Sequence, residues 1–218
     1  MKPRLNTPKK NIWHHANGMI GNPCAPTQRH TADIVDSSHT DRWPGFTSRV
    51  YKNSVGEFFH VGYHLVIDIN DETIIRTRAF SEEGAHCIGM NRSSIGILII
   101  GNYDACSGEK IPKEKEWLIA TAWDMIKGEY PLLTVQDNVP HRKYASKSCY
   151  GNSLDDVYVQ NVIMRSKTVQ DQPEKQEELL RINSMQQDII DAYRQIVALL
   201  VQRLSGKRLS LKEVRNPA

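Results

Sequence analysis

Apolar positions along the chain recur in distinct rhythms, and each rhythm predicts an element. "SSIGILIIGN" (93–102) is a nearly continuous apolar run, which suits a strand buried on both faces. "NIWHHAN" (11–17) is a shorter run that ends in polar residues and predicts a buried strand. "FFHVGYHLVIDI" (58–69) is the strongest strand signal; "NDE" follows as a turn and "TIIRT" (73–77) as a second strand, so the pair reads as a hairpin. "LLTVQDN" (132–138) predicts one more short strand. "IPKEKEWLIATAWDMIKGEY" (111–130) has helical spacing, with Pro112 suited to the first turn and Gly128 to the stop. Residues 18–57 are rich in Gly, Pro, Ser, Thr and Asn and read as loops around one short helix at "TADIVDSS".

A different rhythm begins after "TVQDQPEKQE" (168–177), a polar stretch that reads as a boundary. From there Leu179, Ile182, Gln186, Ile189, Tyr193, Ile196 and Leu200 step by threes and fours, with Gln186 as the polar member. Ile190, Val197 and Leu204 widen the face. This heptad-like seam predicts a helix over 173–204, a rod of ~48 Å at ~1.5 Å per residue. Such a face must be buried against something, which points to self-association or docking into a larger assembly, with a helix folded back on its own domain as the alternative. The expected organisation is a flexible arm (1–10), a domain (11–167), and a linker with a C-terminal helix (168–218). The expected fold class is α/β: a central mixed sheet flanked by helices, plus that long helix.

Composition changes this picture little. The 218 residues are 39% hydrophobic and 24% charged, the profile of a globular domain. Net charge is +3, and no stripe interleaves arginine with aromatics, so a nucleic-acid partner is not expected. No apolar run approaches the ~20 residues that cross a bilayer, so no membrane insertion is expected. The basic start "MKPRLNTPKKNIWHH" has no apolar core of a signal peptide, so synthesis in the cytoplasm is expected. The four cysteines, Cys24, Cys87, Cys106 and Cys149, include no CxxC pair, and free thiols are expected.

The candidate chemistry lies in "PHRKYASKSC" (140–149). His141 and Cys149 can each ligate a metal. A hydrolytic zinc site needs three protein ligands and one open position. His14, at the end of a predicted strand, is the best third ligand. Strand alternation puts His14 with Ile12 on one face and Trp13 with His15 on the other, so only one of the two adjacent histidines can point into a site. Each of these residues also has an ordinary reading. A histidine and a cysteine in a basic loop can be incidental, Lys147 can be one more surface cation, and Tyr63 a half-buried strand tyrosine.

Order and context alter that balance. "IWHHAN", "VGYHLVI", "GAHCIGMNRSSIGILIIGNYD" and "PHRKYASKSC", in that order, resemble the zinc-dependent N-acetylmuramoyl-L-alanine amidase family. That family includes phage lysozyme-like amidases and the animal peptidoglycan recognition proteins (PGRPs). The resemblance covers about residues 10–155. It implies Zn²⁺ held by His14, His141 and Cys149, with Tyr63 and Lys147 as catalytic groups and His86 near the substrate cleft. It implies peptidoglycan as the partner and cleavage of the amide between N-acetylmuramic acid and L-alanine. A phage setting is implied by Lys147, either an endolysin or a virion-associated lysin acting on the cell wall; a recycling enzyme is the other setting. The alternative function is a non-catalytic peptidoglycan-binding or structural component of a phage particle. A binding-only relative usually lacks the cysteine ligand, and Cys149 is present here.

Overall fold

The computed structural model of the chain describes residues 7–16, 24–25, 31–170 and 196. Along the described residues run β1 (Lys10–His15), α1 (Ala32–Arg42), β2 (Leu65–Asp68), β3 (Thr73–Arg76), β4 (Ser94–Ile100), α2 (Trp117–Glu129), β5 (Asn138–Pro140) and α3 (Tyr158–Gln170). The strands form one mixed sheet in the order β3-β2-β4-β1-β5. The β2-β4, β4-β1 and β1-β5 pairs are parallel, and β2-β3 is the antiparallel hairpin. The expected α/β class is therefore the observed one. The chain divides into two units, Met1–Ser166 and Lys167–Ala218. Apart from Ile196, the expected helix over 173–204 and its seam lie outside the described residues.

The continuous apolar run becomes β4, a central strand with every residue buried. Alternation along it feeds two cores. Ile95, Ile97 and Ile99 join Trp13, Leu65 and Ile67 under α2 (Ile119, Trp123, Ile126) and α3 (Val159, Val162, Ile163). Leu98 and Ile100 turn the other way, with Val66, onto α1 (Ala32, Val35) and Phe59 and Val61. Helices thus cover both faces of a sheet whose central strand is buried along its whole length, as parallel packing requires.

Five expectations need correction. The strand expected over 58–69 begins only at Leu65. His64 continues the backbone ladder, its N–H donating to the Gly96 carbonyl, but over residues 60–62 backbone groups bond to side chains. The His60 N–H donates to Asp36 and the Gly62 N–H to His39 Nδ1, while the Val61 carbonyl accepts from Arg78. The strand expected over 132–138 is mostly a 3₁₀ turn, Val135–Asp137, closed by a capping box between Thr134 and Asp137; only Asn138–Pro140 pairs. The helix expected over 111–130 is split into a 3₁₀ turn at Lys113–Lys115, with Pro112 as its cap, and α2, which runs past Gly128 to Glu129. Helix α3 occupies a stretch where no element is expected. Finally, Cys24 and Cys106 are joined in a disulfide, whereas Cys87 and Cys149 are free.

Helix α1 also departs from a simple apolar face. Its N-cap, Thr31, accepts from the Ile34 N–H, and its buried residues include Asp36 and His39. Those two polar side chains take up backbone donors from the irregular segment before β2, and Asp36 also accepts from Asn53 Nδ2. Glu82 does the same for Arg49 and Ala79. A polar scaffold therefore holds the wall from which Tyr63 projects.

Candidate metal centre

The C-terminal ends of β1 and β5 lie side by side, with Trp13 paired to Pro140. The next residue along the chain is a histidine in each case, His14 within β1 and His141 just past the end of β5. His14 and His141 therefore emerge together, their ring centroids 4.3 Å apart. Cys149 returns to the same point after the 3₁₀ turn His141–Lys143. Its Sγ lies 3.7 Å from His14 Nδ1. Ligating atoms of His14, His141 and Cys149 all fall within 4.8 Å of one another. In a tetrahedral zinc site with Zn–N of about 2.0–2.1 Å and Zn–S of about 2.3 Å, neighbouring N and S ligands stand about 3.6 Å apart. The spacing fits such an ion after a small inward closure.

The electrostatics fit as well. Burial, then the neighbouring His86 and His141, hold the His14 imidazole well below its ordinary pKa. Burial, and next the charge of Lys147, lower that of His141. Both rings are thereby neutral and present lone pairs at neutral pH. Burial pushes the Cys149 thiol up to about 12, against the pull of a hydrogen bond from the His15 backbone and of the Lys147 charge. A thiolate here needs a cation in direct contact, which is what a bound metal provides.

Tyr63 stands beside this triad, its ring centroid 5.0 Å from that of His14. Burial raises its phenol above the ordinary value, followed by the effect of Cys149, so the hydroxyl keeps its proton and can donate. Lys147 is exposed, yet its charge acts on His14, His141 and Cys149 alike. His86 is 9% exposed, and its Nδ1 lies 3.1 Å from His14 Nε2. His15 points to the opposite face of the sheet, where its Nδ1 accepts from the Tyr103 N–H. The alternation expected of the two adjacent histidines is the one observed.

Two supporting residues carry no signal in the sequence. Arg142 reads there as one of three consecutive basic residues. In the structure its guanidinium donates to the carbonyls of Ser148, Gly151 and Leu154, clamping the turn that carries Cys149. Asp104, distant in sequence, accepts from Ser148 Oγ at 3.0 Å and from the Asn152 N–H at 3.1 Å, which brackets Cys149.

No family model and no curated protein sequence matches the chain. Solved structures do. The endolysin N-acetylmuramoyl-L-alanine amidase LysCS from Clostridium intestinale matches with a TM-score of 0.54 at 20% identity, over 77% of this chain and 89% of that one. The Ph2119 endolysin from Thermus scotoductus bacteriophage Ph2119 matches with a TM-score of 0.50 at 15% identity, over 74% and 88%. PGRP-SA of Apis mellifera matches with a TM-score of 0.50 at 18% identity, over 80% and 88%. By architecture and by these likenesses, the chain has the fold shared by N-acetylmuramoyl-L-alanine amidases, phage endolysins and PGRPs.

Proposed function

We propose that this chain is a zinc-dependent peptidoglycan hydrolase that cleaves the amide between N-acetylmuramic acid and L-alanine. The observation that carries the reading is the convergence of His14, His141 and Cys149, with Tyr63 beside them. When bound by those three side chains, zinc supplies a water acidic enough to attack at neutral pH and a Lewis acid for the carbonyl. The protein's own groups do the rest. The Tyr63 hydroxyl donates to the carbonyl oxygen as negative charge builds on it, and the Lys147 ammonium stabilises the same charge through space. Addition of water and rupture of the C–N bond leave a lactyl carboxylate and a free alanine amine, the attacking water supplying both oxygen and protons.

LysCS and the Ph2119 protein are endolysins by name, and we assign this chain the same setting: a phage lysin acting on the cell wall. The described residues contain no helix long and apolar enough to cross a membrane. The competing reading is a module that binds peptidoglycan without cutting it. Cys149 favours hydrolysis, because binding alone needs no thiol beside His14 and His141. The test is incubation of zinc-loaded protein with purified peptidoglycan, following new alanine amino groups. Their appearance supports the amidase. Sedimentation with the wall and no new amines would leave the binding module.

A further inference from the structure

We propose that His86 is a positioning residue for the metal centre: with Ser94 it forms a hydrogen-bond relay that sets the tautomer of His14 and aims its Nδ1 at the metal. The proposal rests on the zinc reading above. The relay can be followed atom by atom. His14 Nε2 lies 3.1 Å from His86 Nδ1, His86 Nε2 lies 3.4 Å from Ser94 Oγ, and Ser94 Oγ lies 2.7 Å from the Met90 carbonyl. A carbonyl oxygen only accepts, so the far end decides the direction. Ser94 donates to Met90 and therefore accepts from His86 Nε2–H. A neutral His86 then has its lone pair on Nδ1, which accepts from His14 Nε2–H. The remaining lone pair of His14 is on Nδ1, the nitrogen that faces Cys149 Sγ. Ligand histidines are ordinarily oriented in this way by a partner on the other ring nitrogen.

The sequence around His86 makes sense as a seat for its ring. A side chain at Gly96, in the middle of β4, would run into the His86 ring. A Cβ on Gly84 would stand 2.6 Å from His86 Cδ2. His86 and Cys87 both donate backbone N–H groups to Asn91 Oδ1, at 2.9 and 2.8 Å, which holds the loop closed beneath the ring. The neighbouring His64 is bonded elsewhere: its Nδ1 accepts from the Gly96 N–H, so its Nε2–H donates to the Glu82 carbonyl. Gly84, His86, Asn91, Ser94 and Gly96 thus share one purpose in "GAHCIGMNRSSIG". At 9% exposure His86 acts on the ligand more readily than on a polymer in the cleft.

The test compares zinc affinity, by competition with a chromogenic chelator, in the full chain and in His86→Ala, His86→Gln and Ser94→Ala. The absorption spectrum of the cobalt(II)-loaded proteins and KM against kcat are read beside it. His86→Ala removes the acceptor and should weaken zinc binding about 10–100-fold. His86→Gln can present a carboxamide oxygen to His14 Nε2–H and should restore affinity to within about threefold. Ser94→Ala should weaken binding in the same direction by less, with a changed cobalt spectrum. Should His86→Ala fail to fold, the other two decide. Wild-type affinity in Ser94→Ala, or unchanged metal binding with a raised KM in the His86 variants, overturns the relay and returns His86 to the substrate cleft. Wild-type protein that takes up no zinc overturns the functional reading itself, and the relay with it.

Discussion

The Arg142 backbone N–H donates to the Cys149 carbonyl at 2.6 Å, closing into one loop the segment that begins at the second ligand and ends at the third. The same residue then reaches forward with its guanidinium to Ser148, Gly151 and Leu154. A basic residue in a loop of basic residues is thus a structural clamp. Its planar fork meets several carbonyls at once, which a lysine cannot copy.

Arg142→Lys should therefore destabilise the fold by about 2–3 kcal/mol, the scale of losing charge-assisted hydrogen bonds to partly buried carbonyls. Urea unfolding checks this. An unchanged midpoint would mean that the cysteine loop is held by Asp104 alone.

Acid sensitivity should begin near pH 6.5 in metal-stripped protein. Burial, and next the charge of Arg42, lower His39 to about 4, against the pull of Asp36. The Gly62 N–H donates to its Nδ1, so protonation there breaks a bond. The unfolded chain takes up this proton near pH 6.5 and the folded chain only near pH 4. Between those values the unfolded state holds more protons, so stability falls as pH falls, by roughly 3 kcal/mol from this residue at the low end. Urea midpoints across this range should slope less steeply in His39→Gln. Equal slopes would remove His39 as a cause.

The Cys24–Cys106 bond spans 82 residues of sequence, and both cysteines are exposed. It ties the segment after β1 to the turn that carries Asp104, where Asn102 also donates to the Ala25 carbonyl. Chain entropy sets an upper value of about 4.5 kcal/mol for a loop of this length. A reductant, or Cys106→Ser, should lower the melting temperature while leaving the sheet intact by circular dichroism. Coincident melting curves with and without reductant would show that the bond carries no stability.

Tyr63→Phe and Lys147→Ala should each keep zinc and fold but lose turnover. Removing one donor to a developing oxyanion costs about 10²–10³ in rate. Steady-state hydrolysis of a soluble muramoyl peptide, beside elemental analysis, measures both. Full rates in both variants would return Tyr63 to the wall and Lys147 to the surface.

Features governed by local pattern are legible in the sequence. The apolar run of β4 has one stable location, the middle of a parallel sheet, and the adjacent histidines obey the alternation of a strand. Helix α3 has a readable pattern in Val159, Val162 and Ile163, but three apolar positions beside a polar boundary are a faint signal. Residues 58–64 look like a strand because Phe, Val and Tyr favour extended backbone. Residues 60–62 nevertheless lie outside the sheet because Asp36, His39 and Arg78 satisfy their backbone groups, and those partners are 17–24 residues distant. The disulfide and the Asp104 bracket depend likewise on which loops the sheet brings together. The family resemblance implies the ligand set, whereas the link from His86 to His14 becomes visible only once β1 and β4 are paired.

The most direct measurement pairs zinc content with hydrolysis in wild type and Cys149→Ser. Wild-type protein should hold about one zinc per chain and release alanine amines from purified peptidoglycan. Cys149→Ser should lose most of both, since a serine hydroxyl is a poor zinc ligand beside a thiolate. A Cys149→Ser protein that keeps its zinc and its full rate would contradict the assignment of this centre.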